Sequence, residues 1–264
     1  MQVWAIANQK GGVGKTTTTL MLGRLLAARG QRVLLADLDP HASLTRAFGV
    51  PAEPAPPGTL DLFETPPRRI ADVARDTPIR GVRLLPAQSG MATLERRSAT
   101  APGLGLALGQ GLAAAAPDYD YALLDCPPTL GLLMVNALAA ADQLVIPTQT
   151  EPLGVHGMEG MLKTATMIER SRKRALPARI LPTLFDRRTR ACTETLDHLR
   201  EQHPDRTWVQ AVPLDTRLRD AAELTAAELP HDVQQGRGAD AYQRALAWLL
   251  REPPQPNAPM EMPG

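Results

Sequence analysis

Aromatic residues are scarce in this chain, since phenylalanine, tryptophan and tyrosine together make up only 3% of its 264 residues. A hydrophobic core must therefore be built mainly from leucine, valine, isoleucine and alanine, within an apolar content of 44%. The sequence contains no run of about 18 uninterrupted apolar residues, which is the length that a membrane-spanning helix needs. We therefore expect a sizeable aliphatic core and no membrane span.

Cysteine content and net charge are low as well. The two cysteines, Cys126 and Cys192, lack the paired spacing of a disulfide framework or a zinc ribbon, so we expect a reducing compartment. The N-terminal residues predict a strand rather than a basic and apolar signal sequence, and we therefore expect a cytoplasmic protein. A net charge of +1 excludes a globally basic surface, so any nucleic-acid-binding patch must be local.

A glycine-rich stretch near the N-terminus, "QKGGVGKTT" over 9–17, has the features of a phosphate-binding loop, or P-loop. It lies between an apolar run over 3–7, which predicts a buried strand, and a helical pattern that begins at Thr16. Glycines allow backbone N–H groups to face phosphate oxygens, and the helix N-terminus adds its dipole. Lys15 is expected to meet the β- and γ-phosphates, and the Thr16 hydroxyl to bind Mg²⁺. The predicted nucleotide-binding residues of this loop are Gly11, Gly12, Val13, Gly14, Lys15, Thr16 and Thr17.

Acidic residues follow two of the predicted strands. Asp125 ends the apolar run "YALLD" and is the expected Mg²⁺ carboxylate, because ligands bind at the carboxyl ends of strands in open α/β sheets. Asp39, in "DLDPH", is expected to orient the attacking water and to approach the metal. Asp37 has two interpretations that the pattern does not separate, namely catalysis, or helix capping with electrostatic support.

Strand and helix patterns alternate along the whole chain. This alternation predicts an α/β fold with a single doubly wound, mostly parallel sheet and helices on both faces. The predicted strands cover residues 3–7, 32–39, 82–87, 121–128, 143–149, 178–185 and 208–214. The predicted helices lie near 16–29, 103–116, 129–140, 155–174, 191–202 and 238–251.

Proline-rich segments interrupt this pattern in two places. Residues 51–80 contain seven prolines, and we expect a surface excursion there with at most short helices. The C-terminal stretch 252–264 is also proline-rich and predicts a disordered tail. The expected organisation is one P-loop domain over 1–251, followed by that tail.

Three stretches together, "KGGVGKTT", "DLDPH" and "LLDCPP", resemble the deviant Walker A ATPases of the ParA/MinD family. The similarity extends through "PTLFDRRT" and "VPLDTRLRDA", so it covers nearly the whole chain. The fold that it implies is a P-loop NTPase of the deviant Walker A type. The C-terminal prolines would break a basic amphipathic helix of the kind that brings MinD proteins to membranes, so no membrane partner is expected. Within the family, the chain looks closest to the short ParA-like proteins that position chemotaxis arrays.

The resemblance implies a function as well as a fold. In the family the additional lysine of the loop, here Lys10, reaches across a dimer interface to the partner's nucleotide, while Lys15 serves the nucleotide of its own chain. The implied protein is an ATPase that uses ATP and Mg²⁺, forms a homodimer with ATP, and positions or partitions a cargo. Slow hydrolysis, stimulated by an activating cargo-side protein, returns the dimer to monomers. The expected catalytic residues are Lys10, Lys15 and Asp39. Pro213 is expected to pack on the adenine, with the end of a strand as the alternative role for this proline.

The anchor of the dimer is a further implication of the resemblance. The family binds DNA nonspecifically through a surface of the ATP dimer, and Arg188 and Arg217 are the candidate DNA contacts in this chain. A polar landmark protein is the alternative anchor. We therefore expect a cytoplasmic protein that associates with the nucleoid or with a cell pole.

Two other functions are compatible with the same fold. An iron–sulfur carrier or a reductase-like protein needs cysteines that bridge a cluster at the dimer axis, and the isolated Cys126 and Cys192 do not favour this. A nucleotide-binding adaptor without catalysis is the other alternative, and the presence of Asp39 argues against it.

Overall fold

The computed structural model describes residues 1–51, 54–97 and 104–251, and the tail predicted over 252–264 lies outside these ranges. Its centre is one seven-stranded sheet. The strands are β1 (Gln2–Ile6), β2 (Val33–Asp37), β3 (Arg75–Asp76), β4 (Val82–Leu85), β5 (Tyr121–Asp125), β6 (Gln143–Gln149) and β7 (Ala178–Thr183). Their spatial order is β3-β4-β2-β5-β1-β6-β7, and every pairing is parallel except that of the short edge strand β3 with β4.

Side chains alternate between the two faces of the sheet, because successive residues of a strand point in opposite directions. In β1, Val3 and Ala5 belong to one hydrophobic cluster, whereas Trp4 and Ile6 belong to another. The strands are buried on both faces, which explains their nearly continuous apolar sequences. The aliphatic core and the doubly wound sheet that the sequence predicts are therefore confirmed.

Helices connect the strands and cover the two clusters. Helices α1 and α10 lie on one face of the sheet, and α5, α6 and α7 on the other. Within the described ranges, no helix is long and apolar enough to cross a membrane. The α-helices are α1 (Lys15–Ala27), α2 (Ser43–Ala47), α3 (Ile70–Val73), α4 (Met91–Arg97), α5 (Ala107–Ala115), α6 (Leu132–Ala140), α7 (Pro152–Arg172), α8 (Arg190–Gln202), α9 (His231–Gln234) and α10 (Arg237–Leu249). Short 3-10 helices cover Thr59–Phe63, Leu104–Leu106, Thr216–Leu218 and Glu223–Thr225.

The prediction of a last strand over 208–214 is wrong. This segment runs beside β7 but forms isolated β-bridges instead of a regular ladder. Pro182 of β7 has no N–H to donate, and the neighbouring chain bends at 209–210 before the Val212 N–H reaches the Pro182 carbonyl at 2.9 Å. The proline thus interrupts the hydrogen-bond pattern that a regular edge strand would need.

The proline-rich stretch 51–80 is only partly the surface excursion that the sequence predicts. It contains short helices, as expected, but Leu62, Phe63 and Ile70 are buried in the core. These residues belong to a 3-10 helix and to α3, both of which pack against α5. Part of the excursion therefore covers one face of the sheet.

Candidate nucleotide-binding site

The glycine-rich loop 9–17 joins β1 to α1 and forms an open cradle at the helix N-terminus. Gly12 and Gly14 have φ angles of 74° and 89°, in the left-handed region that glycine adopts without strain. Within the described chain, nothing beyond the adjacent residues lies within 4 Å of a Cβ built on either glycine, so the space above the loop is free. Backbone N–H groups at such a helix N-terminus are suited to bind phosphate oxygens.

A cavity of about 760 Å³ lies above this cradle, which is within the size range of ligand pockets in proteins. Its walls come from the loop, from α1 and from the segment that follows β7. Val13 does not line it, because this residue is fully buried and its carbonyl accepts a hydrogen bond from the Thr183 hydroxyl at 2.9 Å. The predicted site residues that the cavity brings together are Gly11, Gly12, Gly14, Lys15, Thr16, Thr17, Asp39 and Pro213.

Lys15 is nearly buried, with 8% of its surface exposed, and it lines the cavity. Its ammonium group donates a hydrogen bond to the Lys10 carbonyl over 3.2 Å. Burial lowers the pKa of Lys15, although the carboxylates of Asp125 and Asp39 act in the opposite direction. An anion in the cavity would stabilise the charged lysine, and a triphosphate supplies such an anion.

Residues that fit a Mg²⁺ ion lie between the first turn of α1 and the end of β5. The Thr16 hydroxyl donates to Asp125 Oδ2 over 2.7 Å. Asp125 Oδ1 is buried and has no hydrogen-bond partner within the described residues. Burial, together with the nearby charge of Asp37, holds the pKa of Asp125 well above its usual range. A divalent cation would satisfy the unpaired oxygen and favour the ionised carboxyl, so Thr16 and Asp125 fit the predicted metal site.

Asp37 lies beside Asp125 in the register of β2 and β5, but both of its oxygens are occupied by protein donors. Oδ2 accepts from the backbone N–H and the hydroxyl of Thr45, at 2.8 and 2.7 Å, and Oδ1 accepts from the Asp39 N–H at 3.1 Å. Burial raises the pKa of Asp37 to about 6, against the effect of these hydrogen bonds. This arrangement supports the interpretation that Asp37 holds the start of α2 rather than acting in catalysis.

Asp39 lines the cavity, where the sequence predicts a residue that orients water. Its Oδ1 accepts from the His41 backbone N–H at 2.9 Å and lies 2.8 Å from His41 Nδ1. Its Oδ2 has no hydrogen-bond partner in the part of the chain that the structure describes. One carboxylate oxygen is thus fixed, and the other is available to a water molecule or to the metal.

Lys10 is placed differently from Lys15. Its ammonium group donates to Gln149 Oε1 over 2.9 Å and lies 3.9 Å from Glu151 Oε2, and 24% of its side chain is exposed. Gln149 and Glu151 line the cavity, whereas Lys10 itself does not. The second lysine of the loop therefore lies at the rim of the cavity, held by its own chain.

Glycines on α7 leave room for the segment that carries Lys10. A Cβ on Gly157 would lie 2.8 Å from Asn8 Oδ1 and 3.0 Å from Lys10 Cβ, and one on Gly160 would lie 2.6 Å from Gln9 Oε1. The Asn8 side chain in turn accepts from the Lys10 backbone N–H at 2.9 Å. The sequence reasoning missed these contacts, although glycines at three-residue intervals in a helix were a signal of close approach.

The two candidate DNA contacts each have a carboxylate partner two residues earlier. Arg188 forms a two-point ion pair with Asp186, at 3.0 Å from Nε and 2.7 Å from Nη2. Arg217 is paired with Asp215 in the same way, at 2.8 Å from both nitrogens. The side chain of Arg188 is 82% exposed and that of Arg217 is 36% exposed, so the two candidates differ in access to a partner.

Both cysteines are buried within the chain. Cys126 is fully buried next to Asp125, and Cys192 is 5% exposed at the cavity wall. Burial, followed by the charge of Asp125, raises the pKa of the Cys126 thiol. Iron–sulfur clusters are held by thiolates, so buried thiols of this kind give no support to the iron–sulfur alternative.

Comparison with known proteins gives the family. A family profile described as "AAA domain" matches residues 1–178. The chain is 32% identical to the sporulation initiation inhibitor protein Soj of Bacillus subtilis, over 91% of this chain and 95% of that protein. It is 37% identical to the chromosome-partitioning ATPase Soj of Thermus thermophilus, over 91% of this chain and 92% of that protein. The chain belongs to the ParA/MinD family of P-loop ATPases.

Solved structures agree with this assignment. The crystal structure of cobyrinic acid a,c-diamide synthase from Mycobacterium smegmatis, with bound ADP and magnesium, is 31% identical and has a TM-score of 0.81, over 95% of this chain and 94% of that chain. A complex of Cyanothece McdA with ATP has a TM-score of 0.83 at 22% identity, over 94% of this chain and 96% of that chain, and supports the fold alone.

Membership of this family gives the protein a substrate. As a P-loop ATPase, the protein uses ATP with Mg²⁺ and hydrolyses it. The cradle and Lys15 are suited to the phosphates, and Thr16 with Asp125 to the metal, which is positioned to offset phosphate charge. The predicted cofactors, ATP and Mg²⁺, are therefore confirmed, and the expected ATPase class with them.

Proposed function

We propose that this protein is a nucleotide-controlled switch that positions or partitions a cellular cargo. ATP binding promotes a homodimer, and hydrolysis returns the dimer to monomers. The observation that carries this proposal is the different placement of the two loop lysines. Lys15 is nearly buried in the cavity of its own chain, whereas Lys10 lies partly exposed at the rim. A cation at the rim is available to the phosphates of a second subunit, where it would offset their charge.

Hydrolysis by this switch is expected to be slow until a cargo-side protein stimulates it. The carboxylate of Asp39 supports catalysis, because it has one oxygen fixed by His41 and one oxygen free at the cavity wall. Such a group can orient a water molecule in line with the γ-phosphate. A non-catalytic adaptor would have no use for it, and a phosphate-release assay on the purified protein separates the two possibilities.

We propose nonspecific DNA as the anchor of the dimer. A second cavity, of about 600 Å³, adjoins the nucleotide cavity and shares Asp186, Pro213 and Leu214 with it. Its charged lining residues are Asp186, Arg187, Arg188, Arg237, Asp240 and Arg244. Four arginines against two aspartates leave a surplus of two positive charges, so this surface is locally basic in a chain of net charge +1.

Two arginines of this second cavity have charges that are free to meet phosphate. The other two arginines are paired, Arg188 with Asp186 and Arg244 with Asp240, the latter at 2.6 Å. Within the described residues, Arg187 and Arg237 have no hydrogen-bond or ion-pair partner for their guanidinium groups. DNA phosphates are bound mainly by such arginines, without readout of base sequence. Arg188 has Nη1 free of the aspartate, and Arg217 stays a predicted contact on the neighbouring loop.

We propose a chromosome, a plasmid or a protein cluster as the cargo. Relatives named for chromosome partitioning favour a chromosome or a plasmid, and the resemblance of the sequence to array-positioning proteins adds a chemotaxis array or another protein cluster. The protein would act in the cytoplasm, at the nucleoid or at a cell pole. Fluorescence imaging of a tagged copy together with labelled DNA and labelled arrays decides among these cargoes.

The switch itself is tested by the mass of the protein in solution. We expect a monomer with ADP and a dimer with ATP and Mg²⁺, measured by size-exclusion chromatography with light scattering. A protein that stays monomeric with ATP while it hydrolyses ATP would contradict the switch and leave the ATPase assignment intact.

A further inference from the structure

The loop that precedes Arg219 is held firmly against α10. Asp215 accepts hydrogen bonds from Arg217 Nε at 2.8 Å and from the Gly238 backbone N–H at 3.1 Å. Leu218 is buried, and a Cβ on Gly238 would lie only 2.4 Å from Leu218 Cδ1. Arg219 follows directly, so its backbone position is fixed by buried contacts rather than by its own side chain.

The chain a few residues after Arg219 lies next to α2. The Thr225 hydroxyl donates to the Ala47 carbonyl at the end of α2 over 2.9 Å. Ser43 at the start of α2, Asp39 before it, and Arg219 all line the nucleotide cavity. The fold therefore places Arg219 at the wall of a cavity that Asp39 and Ser43 also line.

The guanidinium of Arg219 is free. The residue is exposed, and within the described ranges its side chain has neither a hydrogen bond nor an ion pair. Asp186 and Asp215 also line the cavity, but each is already paired with an arginine. Lys15 and Arg219 are then the cationic side chains among the described lining residues.

We propose that Arg219 is a further nucleotide-binding residue, which contacts the phosphates of the ATP or ADP bound to its own chain. The proposal rests on Mg²⁺-ATP being the ligand of the cavity. Mg²⁺-ATP keeps a negative charge after Lys15 has been counted against the phosphates, whereas Mg²⁺-ADP becomes about neutral. Guanidinium matches the phosphate oxygens of either nucleotide in hydrogen-bond geometry as well as charge. A free arginine on a fixed loop at the cavity wall supplies this contact with little loss of loop freedom.

The test is equilibrium binding of Mg²⁺-ADP and Mg²⁺-ATP by isothermal titration calorimetry. Arg219→Ala is expected to bind both nucleotides about tenfold more weakly than the wild type, the usual effect of losing one charged hydrogen bond. Arg219→Lys keeps the charge and is expected to lose less. Arg46→Ala is the matched control, because Arg46 is an exposed arginine of α2 that does not line the cavity. Thermal melting shows whether each variant is folded.

Three results would overturn the proposal. Arg219→Ala binding Mg²⁺-ADP within twofold of the wild type excludes the contact. An equal loss of nucleotide affinity in Arg46→Ala means that the affinity depends on the overall positive charge of the surface and not on a contact by Arg219. A loss confined to Mg²⁺-ATP, with Mg²⁺-ADP unaffected, excludes a contact to the phosphates that the two nucleotides share. Failure of the wild type to bind either nucleotide would instead overturn the assignment of the cavity to ATP.

Discussion

The Thr16 hydroxyl donates to Asp125 Oδ2 over 2.7 Å and so joins the first turn of α1 to the end of β5. The contact fixes one oxygen of a buried carboxylate whose other oxygen has no partner in the described chain. Asp37 lies at the neighbouring position of β2, which puts two buried acids side by side. Burying two ionised carboxylates in a region of low polarity costs free energy when no cation is bound. A bound cation offsets this cost.

Replacing Asp125 should therefore separate stability from activity. Asp125→Asn is expected to raise the free energy of unfolding of the metal-free protein at neutral pH by about 1 kcal/mol, since it removes one of two adjacent buried acids. ATP hydrolysis should fall by about 100-fold or more, because the metal loses a carboxylate. Chemical denaturation and phosphate release measure the two effects, and a variant with lower stability and full activity would contradict the metal assignment.

The same acids set a pH dependence whose sign follows from their raised pKa values. Folding binds protons at Asp37, with a pKa of about 6 against a usual 3.8, and at Asp125, so the metal-free protein should gain stability as pH falls from about 7.5 to about 5. Mg²⁺-ADP needs the ionised form of Asp125, so its stabilising effect should be larger at about pH 7.5 than at about pH 5.5. Thermal melts with and without Mg²⁺-ADP test both trends, and both should shrink in Asp125→Asn.

Asp39→Ala should bind ATP and dimerise but hydrolyse at least about 100-fold more slowly, because it removes the carboxylate that orients water. The dimer should then persist after the wild-type dimer has decayed, which light scattering after removal of free ATP detects. Asp118→Ala is the matched control, since Asp118 is an exposed aspartate just before the first residue of β5, whereas the cavity lies near the last residues of the strands. Wild-type turnover in Asp39→Ala would assign the water to another group.

Gly157→Ala should displace the Lys10 side chain directly, whereas Lys15 meets this segment only through its hydrogen bond to the Lys10 carbonyl. The added Cβ would lie 3.0 Å from Lys10 Cβ and 2.8 Å from Asn8 Oδ1, so the segment that carries Lys10 must shift. We expect ATP-dependent dimerisation to weaken roughly tenfold, because a small displacement of a positioned group weakens its interaction. Mg²⁺-ADP binding should be unchanged. Gly109→Ala in α5 is the control, because its Cβ would make an ordinary 3.8 Å contact. Dimerisation of Gly157→Ala at the wild-type level would show that α7 does not position Lys10.

DNA binding should appear with ATP and depend steeply on salt. Each phosphate-contacting arginine that is removed should flatten the log–log salt dependence by roughly two units in the dimer, one for each subunit. The variants are Arg187→Ala, Arg188→Glu and Arg217→Glu, measured with ATP in the Asp39→Ala background on two unrelated DNA sequences. Arg206→Ala is the control, since Arg206 is an exposed arginine beside the opposite end of β7. Absence of salt-sensitive binding by the ATP dimer would favour a protein landmark as the anchor.

The glycine-rich loop between β1 and α1, and the position of Asp125 at the end of β5, could be predicted from the sequence because each depends on short-range patterns. The glycines, Lys15 and Thr16 are contiguous, and Asp125 ends a strand whose place at the centre of a parallel sheet follows from the alternation of strands and helices. Helices α2, α4 and α9 were not predicted, because four to seven residues are too few to show a helical period.

Contacts between distant parts of the chain were beyond the reach of the sequence. Gln149 follows Lys10 by 139 residues, and no pattern near either residue shows that their side chains meet. The pairing of Arg217 with Asp215 is local, but its geometry depends on α10, where Asp215 also accepts from the Gly238 N–H. The interruption of the segment beside β7 likewise required Pro182 to lie next to it, which an apolar run alone does not show.

We propose that Lys10 makes dimerisation depend on ATP. This dependence is tested by the mass of Lys10→Ala with ATP and Mg²⁺, measured by size-exclusion chromatography with light scattering. We predict that Lys10→Ala binds ATP but remains a monomer, that Lys15→Ala loses most nucleotide affinity, and that Lys163→Ala, which removes an exposed lysine of α7, dimerises normally. An ATP-dependent dimer of Lys10→Ala with wild-type stability would contradict the account.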